Sequence, residues 1–350
     1  MKRGILYLLL LIVTAGCSEH TDDIIPVVPA DQVRLVFSPE SVRMATRAEA
    51  DEPADINNLE VLAFEKIKDD TFTYTYRTTA EVAGSEGKYK VTLRLSDVPV
   101  KLLLIANHTD FEKIAFGCKI AEATDSLWIP FTPAGIEQIP MYGEIDFEKG
   151  ITSSDADRVQ IKEDIPLLRS VAMVDISIGN DLGSKDIFIL KSIQAYRANN
   201  RIQLIPDESA LAQREEGKEW KVVAPSVLEG TENIITTPSE KVLEPIFLPE
   251  SEERKGDAVT TEATCLIVGG IYQGSGYETN TNISYYRIDF KSKDENDNEI
   301  TGQILRNHKY NIVITDVNGP GTTHPEEADG SNLQTTVIGW SNGGGDIILE

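Results

Sequence analysis

The sequence predicts an all-β protein built as β-sandwiches in tandem. Three observations carry this. Strand-type alternation recurs along the chain, as in Tyr89, Val91, Leu93 and Leu95 set against Lys88, Lys90, Thr92 and Arg94, the period of a half-buried strand. Helical patterns are few. Segments rich in Gly, Pro and acid (Glu250 to Gly256, Gly274 to Asn282, Gly319 to Ser331) separate the apolar runs and read as exposed loops. A chain of 350 residues exceeds what one core usually serves and suits two domains.

Taken in order, Val33 to Phe37 and Leu59 to Phe64 read as short strands, and Phe72 to Arg77 places aromatics among threonines. Val98 to Asn107 is apolar enough for a strand buried on both faces. Asp110 to Phe116 has the pattern of one or two helical turns behind an Asp cap. Val171 to Ile178 and Ile187 to Ala195 flank the polar turn Gly179 to Ser184, which gives an N-terminal domain over 24–183 and a C-terminal domain over 184–350. Ser209 to Trp220 fits a short helix or a charged loop. Thr264 to Ile271, Ile283 to Phe290, Gln303 to Val317 and Leu333 to Trp340 complete the strands. In the third of these, Tyr310, Ile312 and Ile314 face one way and Asn311, Val313 and Thr315 the other. No short-period repeat points to a solenoid.

The N-terminus has a basic start (Lys2, Arg3), an apolar run from Ile5 to Val13 and a small-residue exit, Thr14-Ala15-Gly16-Cys17. This is the layout of a secretory signal peptide over 1–17, and the run is well short of the roughly 20 residues of a membrane span. The exit resembles a bacterial lipobox, which makes Cys17 the candidate lipidation site and the outer membrane a partner through that lipid. The alternative is an ordinary secreted protein with Cys17 as a bystander. Ser18 to Asp23 resembles the acidic export signal of surface lipoproteins in the Bacteroides group, and otherwise is a polar tether.

Net charge is −24 and the sequence pI about 4.6. Such a chain repels phosphates, so nucleic acid is excluded as a partner. Cys118 and Cys265 stand in apolar surroundings and read as buried free thiols, a single disulfide being the other option. Neither has zinc or redox spacing.

No constellation carries catalysis. His20, His108, His308 and His324 are scattered without metal-site spacing, and His308, within Arg306-Asn307-His308-Lys309, reads as a surface residue at a strand entry. Asp294 to Glu299 resembles a calcium loop, but Glu299 stands where glycine is needed and Leu305 where the bidentate glutamate belongs, so it reads as a hairpin turn. Gly269 to Gly276 lacks the lysine and following helix of a phosphate loop. No Gly-x-Ser-x-Gly elbow occurs. No enzyme activity, metal or cofactor is expected. Asp125-Ser126-Leu127 resembles a short O-glycosylation signal of this bacterial group, which makes Ser126 a candidate site.

Two segments suggest a mechanism. Met44 to Glu52 is made of small and charged residues, exposed and cuttable; its Arg47–Ala48 bond suits a trypsin-like protease, with Arg43 the second candidate and an uncut flexible loop the plain alternative. At the other end, Leu333 to Trp340, a Ser341-Asn342-Gly343-Gly344-Gly345 break and Asp346 to Glu350 make two strands around a glycine hinge. This tail either folds back as a hairpin or leaves to complete another molecule's sheet, satisfying the backbone groups of an open edge.

These features together resemble the fimbrillin family of type V pilus subunits of the Bacteroides and Porphyromonas group (FimA-like or Mfa-like). The resemblance rests on the lipobox, Thr46-Arg47-Ala48, Ile139 to Glu144 ahead of Ile165 to Val174, Tyr285 to Phe290 followed by Ile304 to Tyr310, and Trp340 near the end. It implies two tandem transthyretin-like β-sandwiches, export as a lipoprotein, and an Arg-specific protease that removes the tether and first strand over 18–47, with Val33, Leu35 and Phe37. A strand of a neighbouring subunit then fills the groove. Here the donor would come from Val337, Ile338 and Trp340 or from Ile347, Ile348 and Leu349. Partners are then other pilus subunits. Three roles stay open: a polymerising shaft subunit, an anchor or tip adhesin of the same system, or a surface lipoprotein that binds glycan or protein without polymerising. For the last, Tyr272, Tyr277, Tyr285 and Tyr286 are the candidate aromatics, more simply read as strand packing.

Overall fold

The computed structural model describes residues 31–41, 56–68, 71–83, 88–131, 136, 138–152, 165–179, 182, 187–212, 221–227, 233–235, 245–293, 296, 298–340 and 346–349. The N-terminal half contributes β1 (Gln32–Phe37), β2 (Pro39–Ser41), β3 (Leu59–Lys68), β4 (Thr71–Thr79), β5 (Glu81–Val82), β6 (Tyr89–Arg94), β7 (Val100–Ala106), helix α1 (Ile120–Ser126), β8 (Trp128–Pro130), β9 (Met141–Phe147) and β10 (Ile165–Arg169). The C-terminal half contributes β11 (Ala172–Ile178), β12 (Phe188–Asn199), β13 (Arg201–Gln203), β14 (Asn233–Ile235), β15 (Ile246–Leu248), the short helix α2 (Ala258–Thr261), β16 (Cys265–Tyr272), β17 (Ser284–Asp289), β18 (Lys291–Lys293), β19 (Glu299–Thr301), β20 (Lys309–Val317), β21 (Leu333–Trp340) and β22 (Asp346–Leu349).

Alternation sets the first sandwich. A three-stranded sheet, β1-β6-β5, turns Val33, Leu35, Phe37, Tyr89, Val91 and Leu93 inward onto a six-stranded sheet, β2-β10-β9-β7-β3-β4. The long apolar run of β7 is buried on both faces, as its composition requires. Leu102 and Leu104 face the sandwich core, while Leu103 and Ile105 face Phe111, Ile114, Leu204, Ile205 and Leu305 on the far side. The second sandwich packs a five-stranded sheet, β15-β11-β20-β21-β22, against a four-stranded one, β14-β12-β16-β17. The described protein is all-β in class.

Several details depart from the sequence reading. The chain leaves the six-stranded sheet after Arg169 and joins the five-stranded sheet at Ala172. The change of sheet thus lies at Ser170–Val171, ahead of the polar turn expected to divide the chain at 183/184. No Gly- or Pro-rich loop marks it, and the polar residues at the junction, Arg169 and Ser170, are themselves buried. Asp110 to Phe116 forms turns, not a helix. A turn closed by Cys118 N–H to Ala115 O at 3.1 Å, with Gly117 at a φ of 80°, instead brings Gly117 and Cys118 to the edge of β4, where Tyr74 N–H donates to Cys118 O at 2.8 Å and Gly117 N–H to Tyr74 O at 2.8 Å. The helix starts only at Ile120, where Glu122 accepts from the Lys119 N–H at 3.0 Å. Of the Gln303 to Val317 stretch, only Lys309–Val317 is strand. Gly269 and Gly270, read as no phosphate loop, serve packing: a Cβ on Gly270 would lie 2.1 Å from the Phe188 ring. On either side of the segment read as a hairpin turn, β18 and β19 pair antiparallel, Lys293↔Glu299 to Lys291↔Thr301, and residues 294, 295 and 297 lie outside the described ones.

Candidate functional site

The first strand is bound at two edges. Along its whole length β1 pairs antiparallel with β6, from Gln32↔Arg94 to Phe37↔Tyr89. Beyond Phe37 the chain crosses to the other sheet: Ile165 N–H donates to Ser38 O at 2.9 Å, and β2 pairs parallel with β10, Pro39↔Ile165 to Ser41↔Leu167. One ten-residue run therefore closes an edge of each sheet of the sandwich. Its inward side chains, Val33, Leu35 and Phe37, are each 2% exposed. They lie in one core with Leu59, Val61, Leu102, Leu104, Ile165 and Leu167. Each of the three contributes about 1.5–3 kcal/mol through burial. Removing the run would open an apolar slot with two bare backbone edges.

The C-terminal strands are paired with their own sheet. β21 lies between β20 and β22, with Trp340 opposite Lys309 on one side and Asp346 on the other. β22 is at the edge, Val337↔Leu349 to Trp340↔Asp346. Of the donor candidates, Val337, Ile338 and Trp340 thus stand on an interior strand, and Ile347, Ile348 and Leu349 on an edge strand four residues long that only one ladder holds. Cys17, Arg43, Arg47 and Ala48 lie outside the described residues, as do His20 and residues 213–220. Ser126 ends α1 half-buried, its hydroxyl donating to Glu122 O at 2.7 Å.

The halves meet at a polar cluster that the sequence reading missed. Arg306 is fully buried, and His308, taken as a surface residue, is 3% exposed. The Arg306 Nε and Nη2 donate to Glu250 Oε2 at 2.9 and 2.6 Å, and its Nη1 and Nη2 to Leu204 O and Gln203 O at 3.3 and 3.0 Å. Glu250 and Ser251, placed in an exposed loop by composition, are buried with it. Asn307 adopts a left-handed φ of 57°, and its Oδ1 accepts from Arg169 N–H at 3.3 Å while its own N–H donates to Val171 O at 2.9 Å. His308 Nδ1 is the protonated ring nitrogen, since it meets the Arg306 carbonyl at 2.8 Å. Burial lowers the His308 pKa. Four consecutive polar residues look like surface; the signal against that is their frame, Ile304-Leu305 before and Tyr310-Asn311-Ile312 after.

Cys118 and Cys265 are free thiols. Cys265 is buried as expected; Cys118 is only half-buried. Tyr272 and Tyr286 are core residues, Tyr285 is half-buried, and Tyr277 is exposed with its ring 5.6 Å from that of Tyr272. Among the described residues no three His, Cys, Asp or Glu side chains group as metal ligands, and no helix is long and apolar enough to cross a membrane.

No protein-family model matches the sequence. No curated protein matches it. Solved structures do. The fimbrilin (fimA) of Porphyromonas gingivalis W83 superposes with a TM-score of 0.52 at 18% identity, over 88% of this chain and 96% of that one. A "putative cell adhesion protein" of Parabacteroides distasonis ATCC 8503 superposes with a TM-score of 0.54 at 18% identity, over 89% and 98%. A second protein described in the same words, from the same strain, gives 0.52 at 15% identity over 89% and 97%. Over nearly its whole length the chain has the fold of the fimbrilin and of these cell adhesion proteins, the fold to which its sequence motifs pointed.

Proposed function

We propose that the chain is a structural subunit of a surface fimbria that supports adhesion. It is exported as a lipoprotein through Cys17, cut by an Arg-specific protease at Arg47–Ala48, and polymerised by strand exchange. The observation that carries this reading is the placement of β1 and β2. They form one terminal run that plugs the core through Val33, Leu35 and Phe37 and holds an edge of each sheet, and the Arg47–Ala48 bond follows six residues after its end. Cutting there frees the run to leave. A donor strand from a second subunit can restore both the apolar contacts and the ladder, and because that contact is head-to-tail it propagates into a filament. The donor is Val337, Ile338 and Trp340 or Ile347, Ile348 and Leu349. The likeness to a fimbrilin fold supports the reading.

A second reading, an anchor or tip subunit of the same system or a non-polymerising surface lipoprotein, is favoured by one observation: the tail is paired with its own sheet. The test separates them. The chain from Ser18 onward is treated briefly with an Arg-specific protease, its new N-terminus mapped and the product run unheated on a denaturing gel. A start at Ala48 with a detergent-resistant ladder is expected, and Arg47→Ala should stay full-length and monomeric. A clean cut that leaves only monomer assigns the accessory role.

A further inference from the structure

The four-stranded sheet ends at β17, a six-residue strand whose outer side a neighbouring strand of any chain would fit. That side is not open. Tyr285 N–H donates to Thr322 O at 2.9 Å and Thr322 N–H returns to Tyr285 O at 3.1 Å; one turn of the ladder further, Arg287 N–H donates to Asp329 O at 3.0 Å. Both partners belong to the segment between β20 and β21, which touches the edge at these two places and bulges away between them as a short 3-10 turn over Pro325–Glu327. The segment is held by its own anchors. The Tyr286 hydroxyl donates to Gly319 O at 3.0 Å, Asn332 Nδ2 donates to Pro320 O at 3.0 Å, and Ala328 packs, as Tyr285 does, against the cluster of Tyr196, Cys265 and Ile267. Gly321 is required for the approach, because a Cβ there would lie 2.3 Å from Tyr285 O.

We propose that residues 319–332 are an edge guard, a strap that denies β17 to an extended strand of a second copy of this chain. The geometry differs from that of an added strand in the respect that matters. A six-residue ladder on β17 would satisfy its backbone but present a fresh edge, whereas this strap satisfies β17 at two points and turns its own intervening backbone into a 3-10 turn. Pro320 and Pro325 carry no N–H, and Glu326 and Glu327 are exposed within the turn; prolines and charges are what keep an edge from pairing. The device matters most for a subunit that joins others by strand addition, and to that extent it rests on the reading above.

The test uses the chain from Ser18 onward, without protease, so that it is independent of cleavage. In Gly321→Val, amide exchange at Tyr285 and Arg287 should accelerate at least tenfold while Leu266 and Val268 exchange as before, and the protein should associate with rising concentration in light scattering. Ala328→Asp, which unseats the strap without a backbone clash, should do the same, and it serves if the first variant does not fold. Faster exchange with a strictly monomeric protein would overturn the proposal, since the edge would then be open yet not accept a strand; unchanged exchange at Tyr285 and Arg287 in both folded variants would overturn it too. Failure of the cleaved wild type to polymerise would sink the polymerising-subunit reading alone and leave these readouts standing.

Discussion

Arg306 and Glu250 form an ion pair with both side chains out of solvent, 0% and 3% exposed, and with Nη2 2.6 Å from Oε2. The same guanidinium holds the carbonyls of Gln203 and Leu204, and the same carboxylate accepts the N–H groups of Ser226 and Arg306 at 3.2 and 3.1 Å. The pair therefore ties Gln203, Leu204, Ser226 and Glu250 to the bend that leads into β20. Such a pair need not add net stability, but breaking it leaves a buried charge alone.

Arg306→Met should cost about 3–5 kcal/mol in urea unfolding, the usual loss when one partner of a buried pair is removed. The double variant Arg306→Met with Glu250→Leu should recover a large part of that loss. A single variant within 1 kcal/mol of wild type, on the order of surface substitutions, would show that the pair is hydrated in solution.

The pH dependence follows from His308. Its folded pKa lies below the ordinary 6.5 because burial disfavours the imidazolium. The unfolded chain therefore takes up a proton that the folded chain refuses, and stability falls as pH drops from the unfolded pKa towards the depressed folded one. Burial of the ring sets this shift, and the Arg306 carbonyl that accepts from Nδ1 opposes it in part; the Tyr310 ring lies beside the imidazole. Between pH 7 and 5, wild type should lose more stability than His308→Gln in paired urea titrations; equal slopes would remove His308 as the cause.

Leu35→Ala, at the centre of β1, should cost about 2–5 kcal/mol, the range for a large-to-small change in a packed core. A chain beginning at Ala48 should bind a hydrophobic dye and lose it when a synthetic peptide of residues 32–41 is added. No effect of the peptide would mean that the slot collapses once β1 has gone.

Gly270→Ala should destabilise by about 1–3 kcal/mol, as overpacking does. The added methyl meets the Phe188 ring at 2.1 Å, and that ring is itself set edge-on against Tyr286 with centroids 5.5 Å apart. Phe188→Leu in the same chain should relieve part of the loss in thermal melts.

Burial raises the pKa of both thiols, and Cys265 is the deeper. Iodoacetamide at pH 8 should therefore modify Cys118 slowly and Cys265 only after denaturation, as read by peptide mapping. Equal rates in the native protein would contradict the buried seat of Cys265.

The first strand of the candidate site was legible because its signal is local. Val33, Leu35 and Phe37 alternate with polar residues, and a period of two with one apolar face has one comfortable place, the edge of a sandwich. The junction was not legible. Arg306, Asn307 and His308 resemble any polar turn until Glu250, Gln203 and Leu204, from 56 to 103 residues away, supply their partners. The same holds for Ser170 and Val171, where the change of sheet falls in a stretch that is buried throughout, Arg169 and Ser170 included.

By itself the sequence determined the all-β class, the place of most strands, the two-faced burial of Val100–Ala106, the opposed faces of Lys309–Val317 and the hairpin around 294–298, because side-chain alternation and turn chemistry act over a few residues. Only the tertiary structure decided where the sheets divide, that Glu250 and Arg306 are interior, that Gly117 and Cys118 turn onto the edge of β4 instead of continuing a helix, and that β17 is closed by a strap. Those outcomes depend on hydrogen-bond partners and packing surfaces distant in the chain, and a buried polar group is stable only where such partners arrive.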